Sequence, residues 1–202
     1  MQPFSRFSGQ TISINQTDID TDIIIPAEFL KRIERSGFGK YMMYYWRYDS
    51  DGKVKEDFPL NQEAYENVSI LVTGDNFGCG SSRENAVWAL HDYGFQVIIA
   101  PSFADIFKNN CSNNGLLTIE LDHETIDLLH AKSKAKPPYH LEVDIEKQVV
   151  FDHDGFEATF NIDPKVKYKL LHGLDDIDLT LLMEDKINEY ESERPIYLNP
   201  ST

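Results

Sequence analysis

A glycine-rich turn between a predicted strand and a predicted helix is the feature that most constrains how this chain folds. Residues 68–73 form a short apolar, β-branched run that is typical of a buried strand. Residues 74–83 contain three glycines, and residues 82–93 then place apolar side chains at helical spacing before Gly94. The turn therefore leads into the start of a helix. Free backbone N–H groups and the positive end of the helix dipole favour an anion at such a point.

Strands and helices continue to alternate after this turn and predict a mixed α/β fold. Strand–helix units of this kind pair as parallel strands through right-handed crossovers, and two more follow at 95–100 with 102–109 and at 116–121 with 123–131. Period-two runs then predict antiparallel strands at 140–146, 148–151 and 156–162. We expect a mixed sheet flanked by helices, in one domain over residues 1–202 that ends in a helical tail at 179–190.

The side chains in the turn suit a small carboxylic acid. Two hydroxyls and one guanidinium lie together at Ser81, Ser82 and Arg83, beside the N–H groups of the helix start. A structural role is the alternative, because Ser81 followed by Glu84 fits a capping box. The turn lacks the third glycine of a Rossmann fingerprint and the Gly-Lys-Ser/Thr of a P-loop. It also differs from the Gly-x-Ser-x-Gly of a nucleophile elbow.

The charge of the chain limits the kinds of partner it can have. Nineteen basic and 34 acidic residues give a formal net charge of −15, which disfavours non-specific binding to nucleic acid or to an anionic membrane surface. No apolar stretch approaches the roughly 20 residues of a membrane span. The N-terminal residues lack the apolar core of a signal peptide, so we expect a cytoplasmic protein.

The cysteine pattern predicts that this chain holds no metal of its own. Only Cys79 and Cys111 occur, far apart in the sequence. Two thiols cannot supply the usual four ligands of an iron–sulfur cluster, and the chain has no Cys-x-x-Cys pair for zinc. The six histidines show no ligand spacing.

Several motifs carry a resemblance to a known family. Those around the turn lie at 76–84, 93–95 and 97–107, and two more lie at 18–26 and 173–181. In this order and over nearly the whole chain they resemble the small-subunit family of 3-isopropylmalate dehydratase, in the aconitase superfamily. The resemblance implies a swivelling β/β/α domain. It also implies a separate large subunit that carries a [4Fe-4S] cluster, with no cofactor bound by this chain.

The resemblance also assigns roles to residues near the turn. Ser81 takes the position of the superfamily's catalytic base, which acts as an alkoxide. Arg83 is expected to bind a substrate carboxylate, with Ser82 as an additional donor. Asp22 matches an active-site aspartate of the superfamily; from the residues alone it is a loop acid or a helix cap.

Substrate choice is expected to depend on the segment after Pro26, read from the sequence as a short helix over 26–33. Phe29, Leu30 and Lys31 are the predicted pocket residues, and the first two could contact an isopropyl group. Lys31, Arg32 or Arg35 could instead supply a cation for a further carboxylate. An apolar pocket discriminates one methylene by only about 1–3 kcal/mol, so the preference for one substrate stays open.

The resemblance implies the isomerisation of 2-isopropylmalate and 3-isopropylmalate through 2-isopropylmaleate, in leucine biosynthesis. The alternatives are a related hydro-lyase subunit acting on citraconate or homocitrate, and a non-catalytic partner that only binds ligand or large subunit. Two departures from the family pattern leave room for a shifted substrate. Asn85 replaces a common histidine, and residues 165–169 are rich in lysine rather than arginine.

Overall fold

A seven-stranded mixed sheet forms the centre of the molecule in a computed structural model that describes residues 3–31 and 35–194. The strand order is β4-β3-β2-β1-β5-β6-β7. The strands are β1 (Arg6–Ile14), β2 (Val68–Thr73), β3 (Val97–Ala100), β4 (Leu117–Glu120), β5 (Tyr139–Asp144), β6 (Val149–Phe151) and β7 (Glu157–Thr159). From β1 to β4 neighbouring strands are parallel, and from β1 to β7 they are antiparallel. The predicted α/β class with a mixed sheet is confirmed.

Helices cover both faces of the sheet. They are α1 (Thr21–Ile24), α2 (Tyr44–Arg47), α3 (Glu84–Tyr93), α4 (Asp105–Asn113), α5 (His123–Ala135), α6 (Pro164–His172), α7 (Asp176–Leu181) and α8 (Glu184–Ser192). Short 3-10 helices lie at Ala27–Lys31, Gly39–Tyr41, Pro59–Asn61 and Glu63–Tyr65. One apolar core packs α3 and α4 against the sheet, and a second core packs α5 and α6 against its other face.

Burial on both faces explains the sequence of the parallel strands. All four residues of β3 are buried, and so are five of the six residues of β2. A strand that is covered on both faces carries a continuous apolar run rather than an alternating one. This is why the run at 68–73 predicted β2 with its observed bounds.

Several predicted boundaries shift in the structure. Strand β1 begins at Arg6, because it pairs with β5 in the antiparallel sense from that residue onwards. The helix expected from residue 82 begins at Glu84. The helix expected at 26–33 is a 3-10 helix over Ala27–Lys31, and residues 32–34 lie outside the described part of the chain.

The aromatic run at 41–48 and the C-terminal tail differ in how much they are buried. Met42 and Met43 are buried in the core, whereas the Tyr45 side chain is exposed. The tail predicted as helical at 179–190 consists of two helices, α7 and α8. A capping box at Asp175 starts the first of them before the predicted position. Residues 195–202 lie outside the described part of the chain.

Three loops meet at one edge of the sheet. Residues 15–20, 74–83 and 101–104 follow the carboxyl ends of the adjacent strands β1, β2 and β3. Parallel pairing ends at β1, whose other neighbour is antiparallel. Ligand sites of α/β sheets lie outside the carboxyl ends of the strands, where the connections diverge. The glycine-rich turn is therefore at the edge where a site is expected.

Candidate active site

Backbone hydrogen bonds hold the glycine-rich turn, residues 74–83, on both of its sides. On one side the Gly78 N–H donates to the Ile19 carbonyl at 2.8 Å. On the other side the Phe77 N–H donates to the Ser102 carbonyl at 3.1 Å, and the Ala104 N–H donates to Phe77 at 3.1 Å. The turn thus continues the sheet between its two neighbouring loops, and its backbone position is set by tertiary contacts.

A polar network outside the predicted site reinforces this arrangement. Asp18 and Asn76 both have positive φ, 54° and 55°, and the Asn76 amide donates to the Asp18 carboxylate at 2.8 Å. The Ser102 hydroxyl accepts from the Asn76 N–H at 2.9 Å and lies 3.1 Å from an Asp75 oxygen. His123 Nε2 lies 2.8 Å from the other Asp75 oxygen. Asn and Asp tolerate the left-handed backbone conformation. The presence of these two residue types at positions 18 and 76 is the only feature of the sequence that points to this network.

Gly78 is required by both its conformation and its surroundings. Its φ is +76°, and a Cβ at this position would lie 2.2 Å from Cγ of Phe107. Only glycine adopts such a backbone conformation at little cost, and here it also allows an aromatic ring to pack directly on the turn. This close approach fixes the turn against α4.

The Ser81 hydroxyl does not cap α3. Arg83 is the N-cap residue, and no side chain caps this helix, so the capping-box alternative is wrong. The Glu84 carboxylate instead accepts from the Asn114 amide at 2.9 Å. Ser81 and Ser82 are exposed, and within the described ranges the Ser81 hydroxyl donates to no protein group. The backbone of Ser81 is held by α1, because Thr21 Oγ1 donates to the Ser81 carbonyl at 2.9 Å.

Arg83 and Asp22 form an ion pair that joins the turn to α1. Arg83 Nη1 donates to the Asp22 carboxylate. The Arg83 side chain is 21% exposed and that of Asp22 is 54% exposed. The Asp20 carboxylate caps α1 by accepting from the Ile23 N–H at 2.7 Å, which places Asp22 in the first turn. The structure therefore brings Asp22 together with Arg83, although 61 residues separate them.

A cavity of about 270 Å³ opens beside these residues. One wall is formed by Thr21 and the turn, and the other by the start of α4; the lining residues are Thr21, Gly78, Gly80, Ser81, Ser82, Arg83, Ala104, Asp105, Ile106 and Phe107. Two hydroxyls and a guanidinium at one rim can hold a carboxylate through charge-assisted hydrogen bonds.

The predicted specificity residues lie elsewhere. Phe29 stacks on Tyr41 with ring centroids 4.2 Å apart and packs with Leu30 against the core. Lys31 is exposed, and none of these three side chains lines the cavity beside Ser81. Arg35 donates to Asn114 at 2.7 Å. Of this segment, residues 26–31 are described and none of them lines the cavity beside Ser81, so its role in substrate choice stays a prediction.

Both cysteine thiols lie in surroundings that raise their pKa. Cys111 is buried, and burial raises the pKa of its thiol well above its usual value. Burial, together with the carboxylates of Asp20 and Asp18, also raises the pKa of Cys79. Within residues 3–31 and 35–194, no group of three or more His, Cys, Asp or Glu side chains could hold a metal ion.

A helix that crosses a membrane must be both long and apolar. None of the helices in the same residues meets both requirements.

Comparisons with known proteins identify first the class and then the family. Residues 1–124 match the family model of the aconitase C-terminal domain. Residues 127–164 match the model LeuD_N, and residues 176–196 match the C-terminal domain of the 3-isopropylmalate dehydratase small subunit. The fold and the turn thus define a domain of the aconitase type.

Close relatives make the assignment specific. The chain is 55% identical over 191 residues to the 3-isopropylmalate dehydratase small subunit of Geobacillus kaustophilus. This alignment covers 95% of this chain and 96% of the relative. The chain is also 46% identical over 198 residues to the 3-isopropylmalate dehydratase small subunit of Bacillus subtilis. That alignment covers 98% of this chain and 99% of the relative. The chain belongs to the family of 3-isopropylmalate dehydratase small subunits.

A solved structure agrees with this assignment. The crystal structure of 3-isopropylmalate dehydratase from Methanocaldococcus jannaschii superimposes with a TM-score of 0.64 at 26% identity. The superposition covers 93% of this chain and 99% of the other. The mixed sheet with flanking helices is therefore shared with that protein.

Proposed function

We propose that this chain supplies the proton-transferring base and the carboxylate-binding groups of a two-chain 3-isopropylmalate dehydratase. The free Ser81 hydroxyl carries the proposal, because it stands at the cavity rim beside Arg83 without a capping role. In this proposal 2-isopropylmalate and 3-isopropylmalate interconvert through 2-isopropylmaleate. Family membership supports the substrate class.

Ser81 is proposed to remove the proton from the carbon next to the one that bears the hydroxyl. A positioned base is needed because this C–H group is only weakly acidic. The alkoxide form of Ser81 is stabilised by its surroundings, since the start of α3 presents free N–H groups and the Arg83 guanidinium adds a positive charge. The contact from Thr21 to the Ser81 carbonyl fixes the backbone that carries the hydroxyl.

Arg83 and Ser82 are proposed to orient one substrate carboxylate. The guanidinium already faces a carboxylate, that of Asp22, so its geometry suits this kind of partner. An incoming carboxylate exchanges with Asp22 or shares the guanidinium with it. The Asp22 side chain, which is more than half exposed, then becomes available to accept a hydrogen bond from the substrate hydroxyl.

The dehydration also needs a group that accepts the departing hydroxyl. We infer that a [4Fe-4S] cluster on a large subunit supplies this as a Lewis acid when it is bound there. This chain has only two cysteines, Cys79 and Cys111, whereas such a cluster usually takes four thiolate ligands. This chain contributes the face that presents Ser81, Ser82 and Arg83.

Substrate choice is the least constrained part of the proposal. Phe29 and Leu30 pack inward against the core, and Lys31 remains exposed. Contact of these residues with an isopropyl group therefore requires that the large subunit close the space between this segment and the turn. A related acid such as citraconate or homocitrate is the alternative substrate.

The test combines the purified chain with its cluster-loaded large subunit and follows the absorbance of 2-isopropylmaleate formed from 3-isopropylmalate. We expect turnover only with both chains, and a loss of about 10²–10⁴-fold in Ser81→Ala, as for removal of a general base. The control is Ser50→Ala, at an exposed turn remote from the cavity. An unchanged rate in Ser81→Ala would support the non-catalytic alternative. Turnover of citraconate or homocitrate alone would overturn the substrate assignment.

A further inference from the structure

The two C-terminal helices bury none of their own side chains. Helix α7 has six residues and α8 has nine, and neither contains a buried residue. Isolated helices shorter than about 12–15 residues are marginal in water, and packing of an apolar face usually stabilises them. Neither helix therefore has the fully buried apolar side chain that normally stabilises helices of this length, although Leu179 and Ile187 are half-buried.

Their apolar side chains are exposed instead. Of the ten large apolar side chains that are exposed within the described ranges, five lie in this short segment. They are Ile177, Leu181, Leu182, Met183 and Tyr190, with exposed fractions between 56% and 70%. A concentration of this kind marks an interaction surface, and Met and Tyr are enriched in such surfaces.

Charge identifies the kind of partner that fits. Residues 176–194 contain seven acidic and two basic side chains, and the whole chain carries a net charge of −15. Pairing with a second copy would bring two acidic segments together, which is unfavourable. The fitting partner has an apolar groove with a basic rim.

The match to family models indicates which protein this partner is. The aconitase C-terminal domain model ends at residue 124, whereas the segment 176–196 matches a model that is specific to dehydratase small subunits. A small subunit is a separate chain, so it must be held by non-covalent contacts. A surface on the segment specific to small subunits is suited to that task.

We propose that α7 and α8 dock on the large subunit through Ile177, Leu181, Leu182, Met183 and Tyr190. The inference rests on the proposed function, because that function requires the two-chain assembly. It adds that the large subunit holds this chain at a second place, away from the turn that carries Ser81.

The position of the tail separates it from the catalytic face. Asp175, directly before α7, lines a groove of about 1090 Å³ together with Ser69, Gln96 and Gly115. These residues lie at or before the amino ends of β2, β3 and β4, whereas Ser81 follows the carboxyl end of β2. Docking of the tail therefore contributes to affinity between the chains and leaves the chemistry at Ser81 unchanged.

The test is a titration of the small subunit with its large subunit, read as 3-isopropylmalate turnover. The variants are Leu181→Asp in α7 and Tyr190→Asp in α8, with Leu128→Asp as the control. Leu128 is exposed on α5, outside both the tail and the catalytic face. We expect the half-saturating concentration of large subunit to rise at least tenfold in the two tail variants, with the same maximal rate. The control should follow the wild type.

Three other outcomes would overturn the inference. Unchanged half-saturation in both tail variants would remove the docking role. A reduced maximal rate at unchanged half-saturation would place the effect in the chemistry. Light scattering that shows a wild-type dimer, converted to a monomer by Leu181→Asp, would assign the surface to a second copy. A wild-type chain that gains no activity from the large subunit would instead refute the proposed function itself, independently of the variants.

Discussion

Replacement of Thr21 by valine should separate the positioning of Ser81 from the stability of the fold. The Thr21 side chain is 1% exposed, and its hydroxyl donates to the Ser81 carbonyl at 2.9 Å. Valine has nearly the same shape and keeps the backbone hydrogen bond from residue 21 to Cys79. The substitution therefore removes one hydrogen bond to the backbone of the glycine-rich turn and little else.

The expected loss of stability is small and the expected loss of activity is large. One hydrogen bond contributes about 0.5–1.5 kcal/mol to the free energy of unfolding, and its loss lowers Tm by about 1–6 °C in a chain of this size. A displacement of about 1 Å at a reacting group can reduce the rate about 10²-fold. We expect kcat of Thr21→Val, assayed with the large subunit, to fall ten- to a hundredfold.

Thr11 provides the matched control. It is also fully buried, but its hydroxyl has no hydrogen-bond partner in the described part of the chain. Removal of an unpaired buried hydroxyl is neutral or stabilising, so Thr11→Val should keep both Tm and kcat. If Thr21→Val retained the kcat of Thr11→Val, the contact to the Ser81 carbonyl would have no positioning role.

Three further predictions concern stability. Gly78→Ala should lower the free energy of unfolding in urea by about 1–3 kcal/mol more than Gly155→Ala does. Both glycines have positive φ, but only a Cβ at Gly78 would meet an aromatic ring. Equal losses in the two variants would contradict this. Asp152→Ala should lower the free energy of unfolding by about 3–5 kcal/mol in the same measurement. The Asp152 carboxylate is 2% exposed and accepts hydrogen bonds from Lys132 and Tyr139. A loss below about 1 kcal/mol would refute this prediction. Burial lowers the pKa of His130 below 6.5, against the opposing effect of Asp127. The unfolded chain therefore binds more protons just below pH 6.5, and stability should fall as the pH drops through that value, with a shallower fall in His130→Gln.

Local sequence patterns predicted the parts of the fold that depend on local physics. The strand Val68–Thr73 was predicted with its observed bounds, because burial on both faces imposes an uninterrupted apolar run. Local capping chemistry likewise fixes the start of α6, where Asp163 is the N-cap residue and Pro164 follows it. Long-range pairing escaped prediction. Nothing near residue 6 indicates that β1 extends along β5 as far as Asp144.

The candidate site shows the same division. The motifs predicted Ser81, Ser82, Arg83 and Asp22 as site residues, but they did not predict how these residues are placed relative to one another. The bond from Thr21 to Ser81 joins residues 60 positions apart and leaves no local signal. The capping-box interpretation of Ser81 failed for this reason, since tertiary hydrogen bonds hold the turn where local propensity alone favours an earlier helix start.

The hydrogen bonds on both sides of the glycine-rich turn limit how the site can admit its ligand. Local opening of the turn would have to break the bonds of Phe77 and Gly78 to two different loops at once. Such an opening costs about as much as disrupting the strand ends themselves, so the turn belongs to the same cooperative unit as the sheet. It cannot act as a flap. A ligand of this cavity must therefore enter and leave from its open side.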